Sequence, residues 1–281
     1  MPMYFDDLET RSAGQRAEAL ATTLPAQIAR AQALPGYAEA LGGIQADRIT
    51  DAAALAELPV LRKSALTRAQ TPEAPLGGYA GAVTDYSHVF QSPGPIYEPG
   101  QIHGDWWRIG RFLHGCGIGT ADIVQNCFGY HLTPAGMMFE SGARAVGATV
   151  LPAGTGQTEL QVRAAADLGV TAYAGTPDYL KVILEKADEM GVTLRIDKAA
   201  VGGGALFPSL RDWYSARDIT CQQIYATADL GNIAYESSAM EGLIVDEGVI
   251  VEIVTPGTGT PVAEGEVETS VDVSAVFTLL P

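Results

Sequence analysis

The sequence is poor in positive charge: 17 Lys and Arg stand against 33 Asp and Glu, a net charge of -16. So acidic a surface repels phosphate backbones and anionic bilayers, which sets aside nucleic-acid binding and docking on anionic membranes. It does not set aside a small anionic ligand, because backbone N–H groups at a helix N-terminus hold a phosphate whatever the global charge. Cysteine is scarce as well. Cys116, Cys127 and Cys221 form no CxxC pair and are too few to staple a chain this long, so they read as reduced, buried thiols. The four histidines and three cysteines give His114-Gly-Cys116 as their tightest pair and no set with the usual zinc-ligand spacing, which argues against a zinc site. No apolar run approaches the ~20 residues that span a bilayer. The acidic opening MPMYFDDLETR has no hydrophobic segment behind it and reads as neither signal nor transit peptide. The expectation is a soluble, cytoplasmic protein.

What is present is apolar material for a core. Hydrophobic residues make up 47% of 281 positions, enough for one large domain or two smaller ones. Leu20, Leu24, Ile28 and Ala31 recur at helical spacing within 10–35, and Pro35-Gly36 closes the run. Pro25 lies inside that pattern and predicts two helices or a kink. A second helical stretch covers 51–57, so residues 1–80 read as a helical N-terminal region, which PLGGYAGA (75–82) leaves as a loop.

From residue 84 strand-like runs alternate with helical ones. The strands are DIVQNCF (122–128), ATVLP (148–152), VTAYA (170–174), KAAVGGG (198–204) and ITCQQIY (219–225). Helices are expected over 104–115, 135–146, 157–168, 177–190 and 208–216. This alternation predicts an α/β fold, a mainly parallel sheet flanked by helices. LIVDEG (243–248) and VIVEIVTPGTG (249–259) add a β-hairpin near the C-terminus, with Glu247-Gly248 at its turn. Ligands on parallel sheets bind at the carboxyl ends of the strands, so the chemistry is sought in the loops that follow each strand.

QSPGPIYEPG (91–100) is Gly/Pro-rich and is either a phosphate loop or a rigid loop. Pro93, Pro95 and Pro99 lack the N–H that such a loop needs, and Glu98 stands where a base would help. NCFGYHLTPAG (126–136) places Phe128, Tyr130 and His131 at a strand end, as an apolar slot for a ring or acyl chain or as a packed loop. PAGTGQTE (152–159) offers Thr155, Gly156 and Thr158 at a helix N-terminus. GGGALFPS (202–209) permits close approach of a flat ligand to the backbone, or is a tight turn. In YATADLGNIAYE (225–236), Tyr225 is placed to stack on a base and Asp229 or Glu236 to bind Mg²⁺.

The order of these motifs resembles the phenylacetate-CoA ligase family of adenylate-forming enzymes. YFDDLETR, NCFGYHLTPAG, GATVLPAGTGQTELQ, GTPDYLKVILEKADEMG, GGALFPSLRDWY and YATADLG follow one another in that family's register over residues 4–268. The resemblance implies that residues 81–281 are the large-domain core of an enzyme that adenylates an aromatic or related carboxylic acid with ATP and passes the acyl group to CoA. By position it assigns Ser92 and Gly94 to the triphosphate loop, with Glu98 in place of its Lys and Pro95 and Ile96 in place of its Thr residues. It assigns Gly203, Gly204, Ala205, Tyr225, Ala226 and Thr227 to the nucleotide, with Gly204 and Ala205 replacing a Glu-Pro pair and Tyr225 stacking on adenine. Ala228 replaces a hydroxyl residue, and Asp229 replaces the catalytic, metal-binding Glu. Gly202, Phe128, Tyr130 and His131 fall to the acid pocket. ATP or AMP, Mg²⁺ and CoA are the implied cofactors and co-substrate, and similar enzymes are dimeric. The family's ribose-binding segment and small C-terminal domain are not found in these 281 residues.

Losing the loop's Lys and two hydroxyls removes on the order of 5–9 kcal/mol, at about 1.5–3 kcal/mol per charge-assisted bond. A micromolar site has only about 8 kcal/mol in total. Tight triphosphate binding in the familiar mode is therefore not expected, and Glu98 is expected to turn its charge toward a polyphosphate. Two readings stay open: an acid–CoA ligase active in a complete form, and a non-catalytic paralogue that binds an aryl or acyl group or a nucleotide.

Overall fold

The computed structural model describes residues 3–254 and 272–278. The chain divides into two compact units, one of Met1–Phe5 with Gly100–Asp246 and the other of Asp6–Pro99 with Glu247–Pro281. No described helix is long and apolar enough to cross a membrane.

The second unit opens with helices α1 (Ala13–Gln32), α2 (Pro35–Leu41), α3 (Ala52–Ala56) and α4 (Lys63–Ala69). Ser12 starts α1 by a reciprocal cap: its hydroxyl accepts the Gln15 N–H at 3.3 Å, and the Gln15 side chain accepts the Ser12 N–H at 2.8 Å. Of the two helices or a kink that the sequence predicts at Pro25, two helices are not found: α1 runs through Pro25 as one helix. Leu24 and Ile28, on either side of that proline, are buried in one cluster with Leu41, Ile49, Leu55 and Leu58. Tertiary packing of both halves outweighs the hydrogen bond that proline removes. Pro35 opens α2 at its first position, where the missing N–H is no loss.

QSPGPIYEPG is not a loop. It forms most of a hairpin, β1 (His88–Ser92) and β2 (Ile96–Gly100), joined by the three residues 93–95. Alternation sends Phe90, Ser92, Ile96 and Glu98 inward and leaves Val89 and Tyr97 exposed. The far edge of β2 is met by a side chain: Gln70 Nε2 donates to the Tyr97 carbonyl at 2.7 Å, and the Tyr97 N–H donates to Gln70 Oε1 at 2.8 Å.

The first unit is the predicted α/β layer structure. Helices α5 (Ile109–Gly115), α6 (Ala135–Ala145), α7 (Thr158–Leu168), α8 (Pro177–Met190) and α9 (Pro208–Ser215) alternate with strands β3 (Ile123–Asn126), β4 (Thr149–Pro152), β5 (Ala172–Gly175), β6 (Lys198–Val201) and β7 (Thr220–Thr227). With β8 (Gly231–Tyr235) and β9 (Ile244–Val245) these strands make a seven-stranded sheet in the order β4-β3-β5-β6-β7-β8-β9. The pairs from β4 to β7 are parallel and the last two antiparallel. Tyr173, Ala199, Val201 and Cys221 face α7, α8 and α9 through Ala165, Leu180, Leu184, Leu206 and Tyr214. Helices α5 and α6 pack together through Phe112 and Phe139, ring centroids 6.5 Å apart. All three cysteines are free and buried. Burial pushes the Cys127 and Cys221 thiols up to about 12, so neither is a thiolate at neutral pH.

The hairpin near the C-terminus is present, with other partners than the sequence predicts. Ile244 and Val245 pair with Tyr235 and Ala234 of β8. Residues 249–254 form β10 (Val249–Val254), which pairs antiparallel with β11 (Asp272–Thr278) in the second unit. Residues 255–259 of the predicted hairpin lie outside the described residues. The two runs are thus parted at Asp246 and Glu247, where the chain passes from one unit to the other.

Glu247 accepts from Arg11 at 2.8 Å and from Arg16 at 2.5 Å. Burial pushes its carboxyl up, and the hydrogen bonds from Arg16 and Arg11 outweigh that and hold it below the ordinary range. A depressed carboxyl contributes stability that is present above the unfolded value, roughly 4.3, and lost as pH falls through the folded one. Glu247→Gln should therefore cost about 1 kcal/mol at pH 7. Its urea midpoint should converge on that of the unmodified chain in acid below the folded value. A gap that stays constant down to that pH contradicts the assignment.

Candidate functional site

The parallel order β4-β3-β5 reverses the direction of winding between β3 and β5, and the carboxyl ends of those two strands flank the crevice where such sheets bind ligands. The loop after β3 carries the three residues assigned to an acid pocket. Asn126, the last residue of β3, shapes it. Its Oδ1 accepts the Phe128 N–H at 3.2 Å, and its Nδ2 donates to the Tyr130 hydroxyl and the Gly136 carbonyl, both at 2.8 Å. Phe128 is buried against Phe139 with ring centroids 4.2 Å apart. Tyr130 is half-buried, and that burial pushes its hydroxyl up, so it serves as a hydrogen-bonding group and not as a phenolate. His131 is exposed.

The exit of β6 lies two strands away and is brought to the same place by Phe128. Gly203 has φ +69, and a Cβ there would stand 3.7 Å from Phe128 Cε1 and 3.9 Å from Thr176 Cγ2. Gly202 is buried, whereas Gly203, Gly204 and Ala205 are exposed, and the chain bends at Gly203 and Gly204. The exit of β4, PAGTGQTE, is held from beneath by Gln161. Its Nε2 donates to the carbonyls of Gly154 (3.1 Å) and Gly156 (2.6 Å), while its Oε1 accepts from Gln125 Nε2 at 2.8 Å. A cavity of about 560 Å³ opens beside α7, lined by Gln157, Thr158, Glu159, Leu160 and Arg163. The residues assigned to the acid and the nucleotide do not line it.

Tyr225, Ala226 and Thr227 end β7, and Asp229 sits in the turn to β8. Tyr225 is 44% exposed. Thr227 Oγ1 accepts the Leu230 N–H at 3.3 Å, which closes the turn, and Asp229 is exposed at its tip. Glu236, the other acid considered for Mg²⁺, is spent elsewhere. It is buried and accepts from Arg211 at 2.8 and 3.0 Å and from Gln223 N and Nε2 at 3.0 and 2.9 Å. Among the described residues no group of three His, Cys, Asp or Glu is placed to hold a metal ion.

No family model matches the chain. A phenylacetate-coenzyme A ligase of Escherichia coli (strain K12) is 29% identical over 233 residues, 75% of this chain and 52% of that protein. One of Aromatoleum evansii is 25% identical over 249 residues, 83% of this chain and 56% of that protein. Among solved structures, 2-hydroxyisobutyryl-CoA ligase in complex with 2-HIB-AMP superposes with a TM-score of 0.82 at 20% identity, covering 92% of this chain and 59% of that one. The chain is similar to these phenylacetate-CoA ligases. It spans about half the length of the curated relatives it matches.

The resemblance puts Glu98 where the family's loop would carry a Lys, and the structure shows how an acid is accommodated at that position. Glu98 does not turn its charge outward. It is 4% exposed, Lys63 Nζ donates to its Oε1 at 2.7 Å, and the Ser92 hydroxyl donates to its Oε2. A buried carboxylate paired in this way is neutralised inside its own unit, so the expected repulsion of a polyphosphate loses its source. The same contact commits the single donor of Ser92. Ser92 and Gly94 belong to the helical unit, and Phe128, Gly202–Ala205, Tyr225 and Asp229 to the α/β unit.

Gly231, which ends the ligase-like turn, has φ +71, and a Cβ there would stand 2.3 Å from the Trp107 carbonyl oxygen. Both the left-handed backbone and the backbone collision penalise a side chain. Gly231→Ala is expected to destabilise the protein by about 3 kcal/mol or more, read as a fall in the thermal midpoint. An unchanged midpoint would contradict the close approach.

Proposed function

We propose that the chain binds an adenosine nucleotide and a carboxylic acid, aromatic or related, as the core of an acid–CoA ligase that adenylates the acid with ATP and hands the acyl group to CoA. The observation that carries this reading is the gathering of Phe128, the exposed Gly203–Ala205 segment and the exposed Tyr225 at strand exits along one end of the sheet. In it Tyr225 stacks on adenine across the Gly203–Ala205 segment, and Phe128, Tyr130, His131 and Gly202 bound the acid. The carboxylate of the acid takes the adenylyl group at the α-phosphorus of ATP, and pyrophosphate is the leaving group. Asp229 suits a role as the single protein ligand of Mg²⁺, since that ion commonly takes one carboxylate plus substrate phosphates. Ala226 and Thr227 place that acid by ending the strand. The relatives named above support the acid-activating class, and the three buried thiols agree with a cytoplasmic setting. On this reading residues 1–80 are a helical preface and 81–281 the adenylate-forming core.

The hairpin favours the non-catalytic alternative. Its acid and its hydroxyl are bonded to each other and to Lys63, and its prolines offer no N–H, so it supplies few donors to a triphosphate. Without a divalent cation, the expected result is AMP and ATP binding within about threefold of each other, and Tyr225→Ala weakening both by about 1–3 kcal/mol through lost stacking. Calorimetric titration reads both. ATP–pyrophosphate exchange with phenylacetate should stay at background. Exchange that disappears in Asp229→Ala would show the chain to be an active ligase core, and ATP bound a hundredfold more tightly than AMP would show a phosphate cradle of another kind.

A homodimer belongs to the same proposal. The edge strand β9 and its neighbour expose Leu243, Ile244 and Val245, each more than 40% accessible, and apolar sheet edges are places of association. Light scattering at micromolar concentration should give twice the chain mass, and a strict monomer ends the idea.

A further inference from the structure

The turn that carries Asp229 is gripped by a residue more than a hundred positions earlier. Arg108 precedes α5 with φ +57, in the left-handed region that an arginine rarely adopts, and is 8% exposed. Its Nη2 donates to the carbonyls of Leu230 at 2.6 Å and Asn232 at 2.9 Å, one on each side of Gly231. Two further bonds tie the same segments: the Asn232 N–H donates to the Trp107 carbonyl at 2.8 Å, and Asn232 Nδ2 donates to the Arg108 carbonyl at 3.3 Å. The other end of the guanidinium is fixed as well. Nε donates to Asp246 Oδ1 at 2.8 Å, and Asp246 Oδ2 accepts from Arg111 Nη1 at 2.8 Å and from Asn232 Nδ2 at 3.2 Å. Gly231 supplies the space, since the Trp107 carbonyl occupies the position of its absent Cβ.

We propose that Arg108 is the positioning residue of the Asp229 turn, setting where that carboxylate meets a divalent cation and the phosphates it accompanies. The proposal rests on the reading of Asp229 as the metal-holding residue. A planar fork suits the task because it binds two carbonyls and a carboxylate at once from one rigid plane. A lysine has a single ammonium at the end of a flexible stem and cannot reach all three. Partners that orient a metal-holding group commonly change its affinity for the metal by about 10- to 100-fold when removed.

The test compares the full chain with Arg108→Lys and Asp229→Ala by two readouts. The first is backbone amide exchange. Residues 227–232 should exchange at least about tenfold faster in Arg108→Lys, with β5 and β6 unchanged, as local opening of a released turn requires. The second is binding of Mn²⁺–ATP, followed by the electron paramagnetic resonance of protein-bound Mn²⁺. It should vanish in Asp229→Ala and weaken about tenfold or more in Arg108→Lys. Equal acceleration of exchange across the whole sheet would show a purely structural residue and overturn the proposal. So would an undisturbed turn, or Mn²⁺–ATP binding that does not change in Arg108→Lys. If the unmodified chain binds no Mn²⁺–ATP yet the turn alone loosens in Arg108→Lys, the nucleotide reading falls and the grip of Arg108 on the turn stands. Should Arg108→Lys not fold, Arg108→Gln, which leaves Asp246 paired with Arg111, is read in the same way.

Discussion

The carboxylate of Asp246 is the charge around which the α/β unit is arranged. It is 1% exposed, and taking an ion out of water is tolerable only when every lone pair finds a donor. Arg108, Arg111 and Asn232 provide those donors, and they come from the start of α5, from its interior and from β8. One acid therefore fixes a helix, a strand and the turn before that strand in a single arrangement. Arg111 also stands 5.9 Å over the Phe5 ring, which brings the first residues of the chain to the same cluster. The next residue, Glu247, is the first of the other unit's closing segment and has its own pair of arginines, Arg11 and Arg16. Consecutive acids are thus anchored in different units, each by guanidinium groups of its own unit.

Much of the fold was legible because it is written in local periodicity. The five parallel strands and their helices are short apolar runs alternating with amphipathic ones, and β4 to β7 with α6 to α9 fall within a few residues of where the pattern puts them. Three features were not legible, each for a physical reason. Helix α1 continues through Pro25 because Leu24 and Ile28 share a core with residues from α2 and α3. Residues 91–100 form a hairpin because alternate side chains reach a partner, Lys63, on α4. The strand near the C-terminus pairs with β8 instead of its sequence neighbour because a unit boundary separates the two runs. Local propensity carries no record of any of these.

The candidate site divides in the same manner. Which residues leave the strand ends follows from the rule that parallel sheets gather ligands at their carboxyl edge, and Phe128, Gly203 and Tyr225 follow directly. What holds those residues does not. Asn126, Gln161 and Arg108 act through bonds to backbone carbonyls or to side chains across the loop, and such partners have no sequence signature. Glu98 shows the cost of reasoning from charge alone. An acid where the resemblance implies a base reads as repulsion until its own counter-ion, 35 residues earlier, is found. A substituted residue carries the sign of its surroundings as well as its own.

The hairpin β1–β2 has one further property, which follows from Gln70. Its carboxamide offers the Tyr97 backbone one donor and one acceptor at the spacing of a peptide group. In bonding terms it is a strand one residue long. A ribbon of two strands normally leaves an outer row of peptide groups able to recruit a foreign chain. Here that row is interrupted at Tyr97 by a side chain from the same molecule, already in register. Any extended peptide that approached β2 would have to displace an intramolecular competitor at Tyr97 before its first two hydrogen bonds could form there. The ribbon thus stops at two strands through an internal mimic of the third.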